Sequence, residues 1–201
     1  MTRRIEFIFD FGSPNAYFAN RALPVLLKRT EAELVYVPCL LGGIFKATGN
    51  QSPMAAFGGI KGKLEYEQLE MERFMKKHAI TEFQFNPHFP VNTLLLMRGA
   101  IVAERDGDLA RYVKAGFHHM WEDPKKMDDP GVFAEAMGLS GFDGDELLKQ
   151  TQDPGIKQRL VDNTTAAVER GVFGIPTFFV HDQMFFGKDR LDQVEDELLE
   201  H

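Results

Sequence analysis

The chain is poor in sulfur nucleophiles, because its 201 residues include a single cysteine, Cys39. One cysteine excludes an internal disulfide and a cysteine-based metal cluster. Cys39 follows a predicted strand, where a free cysteine ordinarily serves as a small buried apolar residue. This composition predicts a protein of a reducing cytoplasm.

Positive charge and long apolar runs are also scarce. The 23 lysines and arginines are outnumbered by 30 aspartates and glutamates, which gives a formal net charge of −7. Nucleic acids and anionic membranes select basic patches, so this balance argues against both as partners. The longest apolar runs, such as TLLLM at 93–97, are far too short to cross a bilayer. The N-terminal MTRRIEFIFDFG lacks the apolar core and cleavage site of a signal peptide, so we expect a soluble cytoplasmic protein.

What the chain does contain is an ordinary globular composition, with 44% hydrophobic and 26% charged residues. Residues 4–11, RIEFIFDF, alternate in polarity and predict a central strand, since Ile8 makes both of its faces partly apolar. A helix is predicted over 14–29 and a second strand over 33–38. Such a β-α-β unit crosses over right-handed to a parallel strand.

Between residues 42 and 170 the pattern is helical. Residues 42–62 are rich in glycine and predict a loop with at most one short helix. Apolar spacing then predicts helices at 63–79, 93–105, 108–121, 130–138, 143–150 and 154–170. At the end of the chain, IPTFFV and QMFFG predict a hairpin around HDQ, followed by a last helix that reaches residue 201.

Without the helical block, this order of elements is that of a thioredoxin fold. We therefore predict an α/β, thioredoxin-like fold with an inserted all-helical domain. The thioredoxin-like domain would be discontinuous, over residues 1–41 and 171–201, and the inserted helical domain would cover 42–170.

Ser13 stands where the first strand turns into the first helix, in FDFGSPNAYFA. One interpretation is a helix N-cap, with Pro14 at the first helical position. The other is a ligand-binding hydroxyl, because a helix N-terminus offers unpaired N–H groups and a positive dipole end that suit a thiolate or another anion. The two roles are compatible, since one hydroxyl can turn from cap to ligand.

The segment GIPTF, residues 174–178, is the second feature of interest. Proline is common at the first residue of a strand, so Pro176 can be a rigid strand entry. A cis peptide before Pro176 would instead leave the backbone of Ile175 exposed to pair with a bound peptide. We predict that the Ile175–Pro176 peptide is cis.

Six segments together resemble the 2-hydroxychromene-2-carboxylate isomerase family: FDFGSPNAYFA, GNQSP, KLEYEQLEMER, FNPHFPVNT, FGIPTFFV and FFGKDRL. That family is a sibling of the kappa-class glutathione transferases, and both are thioredoxin folds with an inserted helical domain, related to DsbA. The resemblance covers almost the whole chain, but its motifs do not separate the two branches.

The resemblance implies glutathione as the cofactor. Ser13 would donate a hydrogen bond to its sulfur, as the catalytic residue. Ile175, before a cis Pro176, would pair with its cysteinyl backbone. Asp189 and Arg190 would hold its γ-glutamyl end.

Other site residues implied by the resemblance are more distant in sequence. Asn50 and Lys63 match positions near the glutathione tail, and Asn92 matches one near the reacting centre, where it would contact the second substrate. A helix cap is the alternative role for Asn92. No metal is expected, since the neighbouring His118 and His119 cannot share one helix face and no carboxylate pattern completes a site with them.

The function implied by the resemblance is a glutathione-dependent isomerase of aromatic catabolism. It would interconvert 2-hydroxychromene-2-carboxylate and trans-o-hydroxybenzylidenepyruvate by reversible thiolate addition, and it would act as a homodimer. Ser13 occupies the place of the first cysteine of a C-x-x-C motif, so disulfide exchange is excluded. The alternatives are a kappa-like glutathione transferase and a non-enzymatic, thioredoxin-like module that binds a peptide against Pro176.

Overall fold

The computed structural model describes residues 3–200, so the parts of the predicted domains and last helix at residues 1, 2 and 201 lie outside the described residues. A four-stranded sheet has the order β2-β1-β3-β4. β1 pairs in parallel with β2 and antiparallel with β3, which in turn pairs antiparallel with β4. The strands are β1 (Arg4–Phe9), β2 (Glu33–Pro38), β3 (Thr177–Val180) and β4 (Gln183–Phe186).

The predicted central position of the first strand is confirmed. Ile5, Phe7, Ile8 and Phe9 of β1 are all fully buried, because β1 has a neighbouring strand on each side and packed elements on both faces. The parallel β-α-β unit and the terminal hairpin are confirmed as well.

Ten α-helices surround the sheet within residues 3–200. They are α1 (Pro14–Thr30), α2 (Leu41–Thr48), α3 (Pro53–Phe57), α4 (Lys63–Lys77), α5 (Leu94–Arg105), α6 (Leu109–Trp121), α7 (Pro130–Leu139), α8 (Gly144–Gln150), α9 (Pro154–Glu169) and α10 (Leu191–Glu200). A 3-10 turn, Lys188–Arg190, precedes α10. None of these helices is long and apolar enough to cross a membrane.

The glycine-rich segment 42–62 was expected to hold at most one short helix, and this expectation is wrong. The segment contains most of α2 and all of α3. The start of α3 has the same signal as the start of α1: Ser52 caps it by accepting a hydrogen bond from the Ala55 N–H at 3.2 Å, and Pro53 is the first helical residue.

The helices α2 to α9 all lie between β2 and β3 in the chain, but their core is continuous with that of the sheet. One hydrophobic cluster contains buried residues of β1, α1, α5, α6 and β3. The division into a thioredoxin-like domain and an inserted domain therefore stays a prediction.

Helix α6 is held close to the end of β1. The Trp121 indole N–H donates to the Phe11 carbonyl at 2.8 Å. A Cβ on Gly116 would lie 2.4 Å from the Phe11 ring, so only glycine allows the ring to pack this closely on α6. These contacts fix the backbone immediately before Ser13.

Candidate active site at the start of the first helix

One edge of the sheet brings together the ends of all four strands. Ile8 pairs with Thr177 and Thr177 with Phe186, while Phe9 pairs with Pro38. The C-terminal ends of β1, β2 and β4 and the N-terminal end of β3 therefore meet there. The Ser13 turn follows β1 directly at this edge.

Ser13 caps α1 and also contacts the segment before β3. Its Oγ accepts a hydrogen bond from the Ala16 N–H at 3.2 Å and donates one to the Ile175 carbonyl at 3.2 Å. Its backbone N–H donates to the Asp10 carbonyl at 3.2 Å, and the residue is only 5% exposed. The capping role is therefore observed, and the hydroxyl hydrogen would have to turn away from Ile175 to serve a ligand.

The predicted cis peptide between Ile175 and Pro176 is confirmed. The Gly187 N–H donates to the Pro176 carbonyl at 2.9 Å. Since Asp189 comes two residues after Gly187, this bond ties the Asp189 turn to the same edge of the sheet as Ser13.

A cleft of about 170 Å³ opens beside Asp189, between α4 and the segment 188–192. Its walls carry both signs of charge: Lys188 donates to both carboxylate oxygens of Asp189 at 2.7 and 2.9 Å, and Lys77 pairs with Asp192 at 3.1 Å. Arg190 is exposed at the end of this turn. The cleft can therefore receive a ligand end that bears both an ammonium and a carboxylate.

Asn50 reaches the same edge of the sheet, whereas the contacts of Lys63 lie elsewhere. The Asn50 side chain donates to the Phe173 carbonyl at 2.7 Å, two residues before Ile175. The Lys63 ammonium pairs with Glu67 at 2.6 Å and lies over the ring of Phe57. Both of these contacts are with residues of α3 and α4, and neither brings the Lys63 ammonium to the Ser13 turn.

Asn92 is exposed and caps the first turn of α5, because its Oδ1 accepts from the Leu94 N–H at 3.0 Å. The next residue, Thr93, touches the Ser13 turn: a Cβ on Gly12 would lie 3.1 Å from its Cγ2. The loop that carries Asn92 therefore adjoins the residue before Ser13.

Asp10 is a part of this region that the sequence did not single out. Its Oδ1 accepts from the Gly12 N–H at 2.8 Å and its Oδ2 from the Leu41 N–H at 2.7 Å. Complete burial raises the pKa of this carboxyl above its usual 3.8, and hydrogen bonds from Gly12, Leu41 and Thr93 act in the opposite direction. An acidic residue between two phenylalanines at the end of the first strand, two residues before a glycine, was the available signal.

Comparisons with known proteins agree with this geometry. A family model described as a DSBA-like thioredoxin domain matches residues 4–199. The 2-hydroxychromene-2-carboxylate isomerase of Sphingobium xenophagum is 32% identical over 203 residues, which are 100% of both chains. A solved structure of a 2-hydroxychromene-2-carboxylate isomerase has a TM-score of 0.84 at 27% identity and covers 98% of this chain and 95% of its own.

A kappa-class glutathione transferase is also similar to this chain. Glutathione S-transferase kappa 1 of Rattus norvegicus is 26% identical, over 94% of this chain and 88% of its own. The predicted fold class and the resemblance are thus confirmed, and the isomerase has the higher identity of the two relatives.

Proposed function

The chain belongs to the DSBA-like thioredoxin domain family, and from that membership and the Ser13 site we propose that it is a glutathione-dependent isomerase. It would interconvert 2-hydroxychromene-2-carboxylate and trans-o-hydroxybenzylidenepyruvate. The isomerase relative, which is similar over its whole length, supports the choice of reaction. The observation that carries the proposal is a buried serine hydroxyl at a helix N-terminus, in a chain that has no dithiol.

The residues at the sheet edge suit glutathione. Ser13 and the start of α1 offer a hydroxyl donor and a positive dipole end to a thiolate. The backbone of Ile175 lies against Ser13, where a cysteinyl backbone would pair with it. The mixed charges around Asp189 fit the γ-glutamyl end, which carries an ammonium and a carboxylate.

The expected stabilisation of a bound thiolate is large enough that no general base is required. A thiol has a pKa of about 8.5, and lowering it by about two units takes roughly 2.7 kcal/mol of thiolate stabilisation. A hydrogen bond to a charged group contributes about 1.5–3 kcal/mol, and a helix N-terminus about 0.3–1 kcal/mol. Ser13 and the field of α1 can therefore together hold a thiolate at neutral pH.

Bound glutathione would supply a thiolate that adds reversibly to a conjugated carbon and so frees rotation about the former double bond. Ser13 would direct its hydroxyl hydrogen at the sulfur instead of at the Ile175 carbonyl, 3.2 Å away in the present arrangement. The loop that ends at Asn92 would face the aromatic substrate, since its neighbour Thr93 packs on Gly12.

The proposal also includes a cellular compartment and an oligomeric state. A reducing cytoplasm suits a chain whose one cysteine is a buried thiol. A homodimer would cover part of α4, where Tyr66 and Leu69 are exposed. Sedimentation against the 22.8 kDa chain mass tests this assembly.

Incubation with trans-o-hydroxybenzylidenepyruvate and glutathione tests the function. An isomerase equilibrates the two isomers, needs glutathione, and leaves the concentration of free thiol unchanged. A kappa-like transferase instead consumes one thiol for each electrophile converted. A peptide-binding module shows neither reaction, and this last result would overturn the proposal.

A further inference from the structure

The last turn of α6 and the residues directly after it bring together three groups that can bind a metal ion. A ring nitrogen of His118, a ring nitrogen of His119 and a carboxylate oxygen of Asp123 all lie within 4.8 Å of one another. The two rings are 4.8 Å apart between centroids and inclined at 70°. Asp123 reaches the two rings because α6 ends at Trp121 and the chain folds back: the Asp123 N–H donates to the His118 carbonyl at 2.9 Å.

The Glu122 carboxylate orients the His118 ring. Its Nδ1 lies 3.0 Å from Oε2 of Glu122. A carboxylate can only accept, so Nδ1 carries the hydrogen and the lone pair is on Nε2. Metal-bound histidines commonly have this arrangement, in which a carboxylate holds the other ring nitrogen.

His119 gives a second and independent indication. The residue is only 3% exposed, and its Nε2 lies 2.9 Å from Oγ of Ser140 on the far side of the ring. Its Nδ1 is buried and has no hydrogen-bond partner among residues 3–200. A buried N–H without an acceptor is rare, so Nε2 carries the hydrogen and Nδ1 keeps an unused lone pair.

We propose that His118 Nε2, His119 Nδ1 and the Asp123 carboxylate bind one divalent transition-metal ion of the Zn²⁺ type. Two imidazoles and a carboxylate are donors that suit such an ion, with metal–ligand distances of about 2.0–2.2 Å. The three groups must close in by about an ångström, and the exposed Asp123 and partly exposed His118 have room to do so. Water would complete the coordination.

The Lys125 ammonium would compete with a metal ion for the Asp123 carboxylate. Its ammonium lies 2.7 Å from a carboxylate oxygen of Asp123 and supplies the positive charge there. A bound ion would displace this ammonium into solvent, which Lys125 can reach because its side chain is 27% exposed.

The site contacts two neighbouring helices through hydrogen bonds and is independent of the proposed reaction. Glu122, which orients His118, also accepts a hydrogen bond from the Tyr17 hydroxyl of α1 at 3.0 Å. Ser140, which orients His119, directly follows α7. An ion at this place would bind only to residues at the end of α6, and the contacts with α1 and α7 would hold its histidine ligands in position.

Titration of the tag-free full chain with Zn²⁺ by calorimetry, and with Co²⁺ by visible absorption, tests the proposal. We expect one ion per chain and, at a free Zn²⁺ concentration about 100-fold above Kd, a rise in Tm of roughly 5–10 °C. His119→Gln and Asp123→Asn should weaken binding at least about tenfold, and Ser140→Ala should weaken it by about 10–100-fold. His88→Gln, at an exposed histidine in the loop before α5, is the matched control and should leave the Kd for Zn²⁺ unchanged.

Lys125→Gln keeps the proposal testable even if the histidine variant folds poorly, because loss of the competing ammonium should tighten Zn²⁺ binding. The proposal is overturned if the wild-type chain binds no Zn²⁺. It is equally overturned if Asp123→Asn and Lys125→Gln both leave the Kd unchanged.

Discussion

Ser13 and Cys39 follow two neighbouring parallel strands at the same edge of the sheet, and each stands beside the start of a helix, yet their surroundings are opposite. Ser13 is the N-cap of α1, and its own hydroxyl accepts from the Ala16 N–H. Cys39 precedes the N-cap of α2, where the Leu41 N–H is already taken by the Asp10 carboxylate at 2.7 Å. The start of α1 therefore faces a neutral hydroxyl, whereas the start of α2 faces a carboxyl group.

The consequence for sulfur chemistry is large. Burial raises the pKa of the Cys39 thiol to about 12, with the nearby Asp10 charge acting in the same direction. Its Sγ lies 3.5 Å from the Asn163 carbonyl, to which it can donate. The Cys39 sulfur is therefore a thiol at neutral pH, and the position proposed to face a thiolate holds a hydroxyl.

The largest expected effect comes from comparing a thiol introduced at position 13 with the natural thiol of Cys39. At a helix N-terminus a thiol pKa falls to about 3.5–7.5, so the new thiol of Ser13→Cys should be mainly ionised at pH 7. A thiol with the pKa of about 12 found for Cys39 is ionised in only about one molecule in 10⁵. Alkylation by iodoacetamide at pH 7 should therefore be faster in Ser13→Cys than in wild type by on the order of 10⁴-fold.

The double variant Ser13→Cys/Cys39→Ala is the control and should react like Ser13→Cys alone. A new thiol that titrates at or above the ordinary value of about 8.5 would show that α1 provides no useful field, and the comparison would fail.

The second prediction removes the hydroxyl. Ser13→Ala should lower turnover by on the order of 10²-fold or more, because about 2–3 kcal/mol of thiolate stabilisation is lost. The cap is lost as well, at a cost to stability of about 0.5–2 kcal/mol. Activity per folded molecule, corrected by the unfolding curve, separates the two effects.

Ser13→Thr is the matched variant, since it keeps both the hydroxyl and the cap, and it should retain much more of the turnover. If Ser13→Ala melts lower but turns over as fast per folded molecule, Ser13 is only a cap.

The contrast between these positions also shows what could be predicted from sequence. The Ser13 turn and the cis peptide at Pro176 depend on residues adjacent in the chain, and both were predicted. Asp10 was not, because its partners Leu41 and Thr93 become neighbours only when the sheet and helices assemble. The strands followed from periodicity: residues 4–11 alternate in polarity, and the additional apolar Ile8 indicated burial on both faces of β1.

One error has a local cause. The start of α3 has a Ser-Pro signal like that of α1, but the surrounding glycines favoured a loop. The expectation that His118 and His119 bind no metal stays a prediction. The approach of Asp123 to these rings could not be predicted from helical periodicity, because the chain folds back after α6.

The third prediction concerns Asn92, at the end of the loop proposed to face the aromatic substrate. Asn92→Ala should raise KM for the aromatic substrate or lower kcat by about tenfold, as expected for one lost hydrogen bond, while glutathione affinity by calorimetry stays nearly the same. Asn92→Asp keeps the oxygen that caps Leu94 but lacks the amide donor. A loss in both variants assigns the effect to the amide, and a loss in Ala alone assigns it to the cap. Equal weakening of both ligands would place Asn92 in the glutathione site.

The smallest expected effect concerns Asp10, whose carboxyl group makes the surroundings of Cys39 different from those of Ser13. Burial raises the folded-state pKa of Asp10 above its unfolded value of about 3.9, so its contribution to stability is greatest below that pH and is lost as pH rises through the folded pKa. Asparagine has nearly the same shape and does not titrate. The free energy of unfolding of wild type minus that of Asp10→Asn should therefore fall as pH rises from 4 to 8, measured by urea unfolding.

Taking this difference cancels the other titrating groups, which the two chains share. A difference that grew with pH would mean that the hydrogen bonds from Gly12, Leu41 and Thr93 outweigh burial and depress the Asp10 pKa instead. In that case the Asp10 carboxyl would stay ionised to a lower pH than a free aspartate. Its charge would oppose a thiolate at the Ser13 turn, as it acts on the Cys39 thiol.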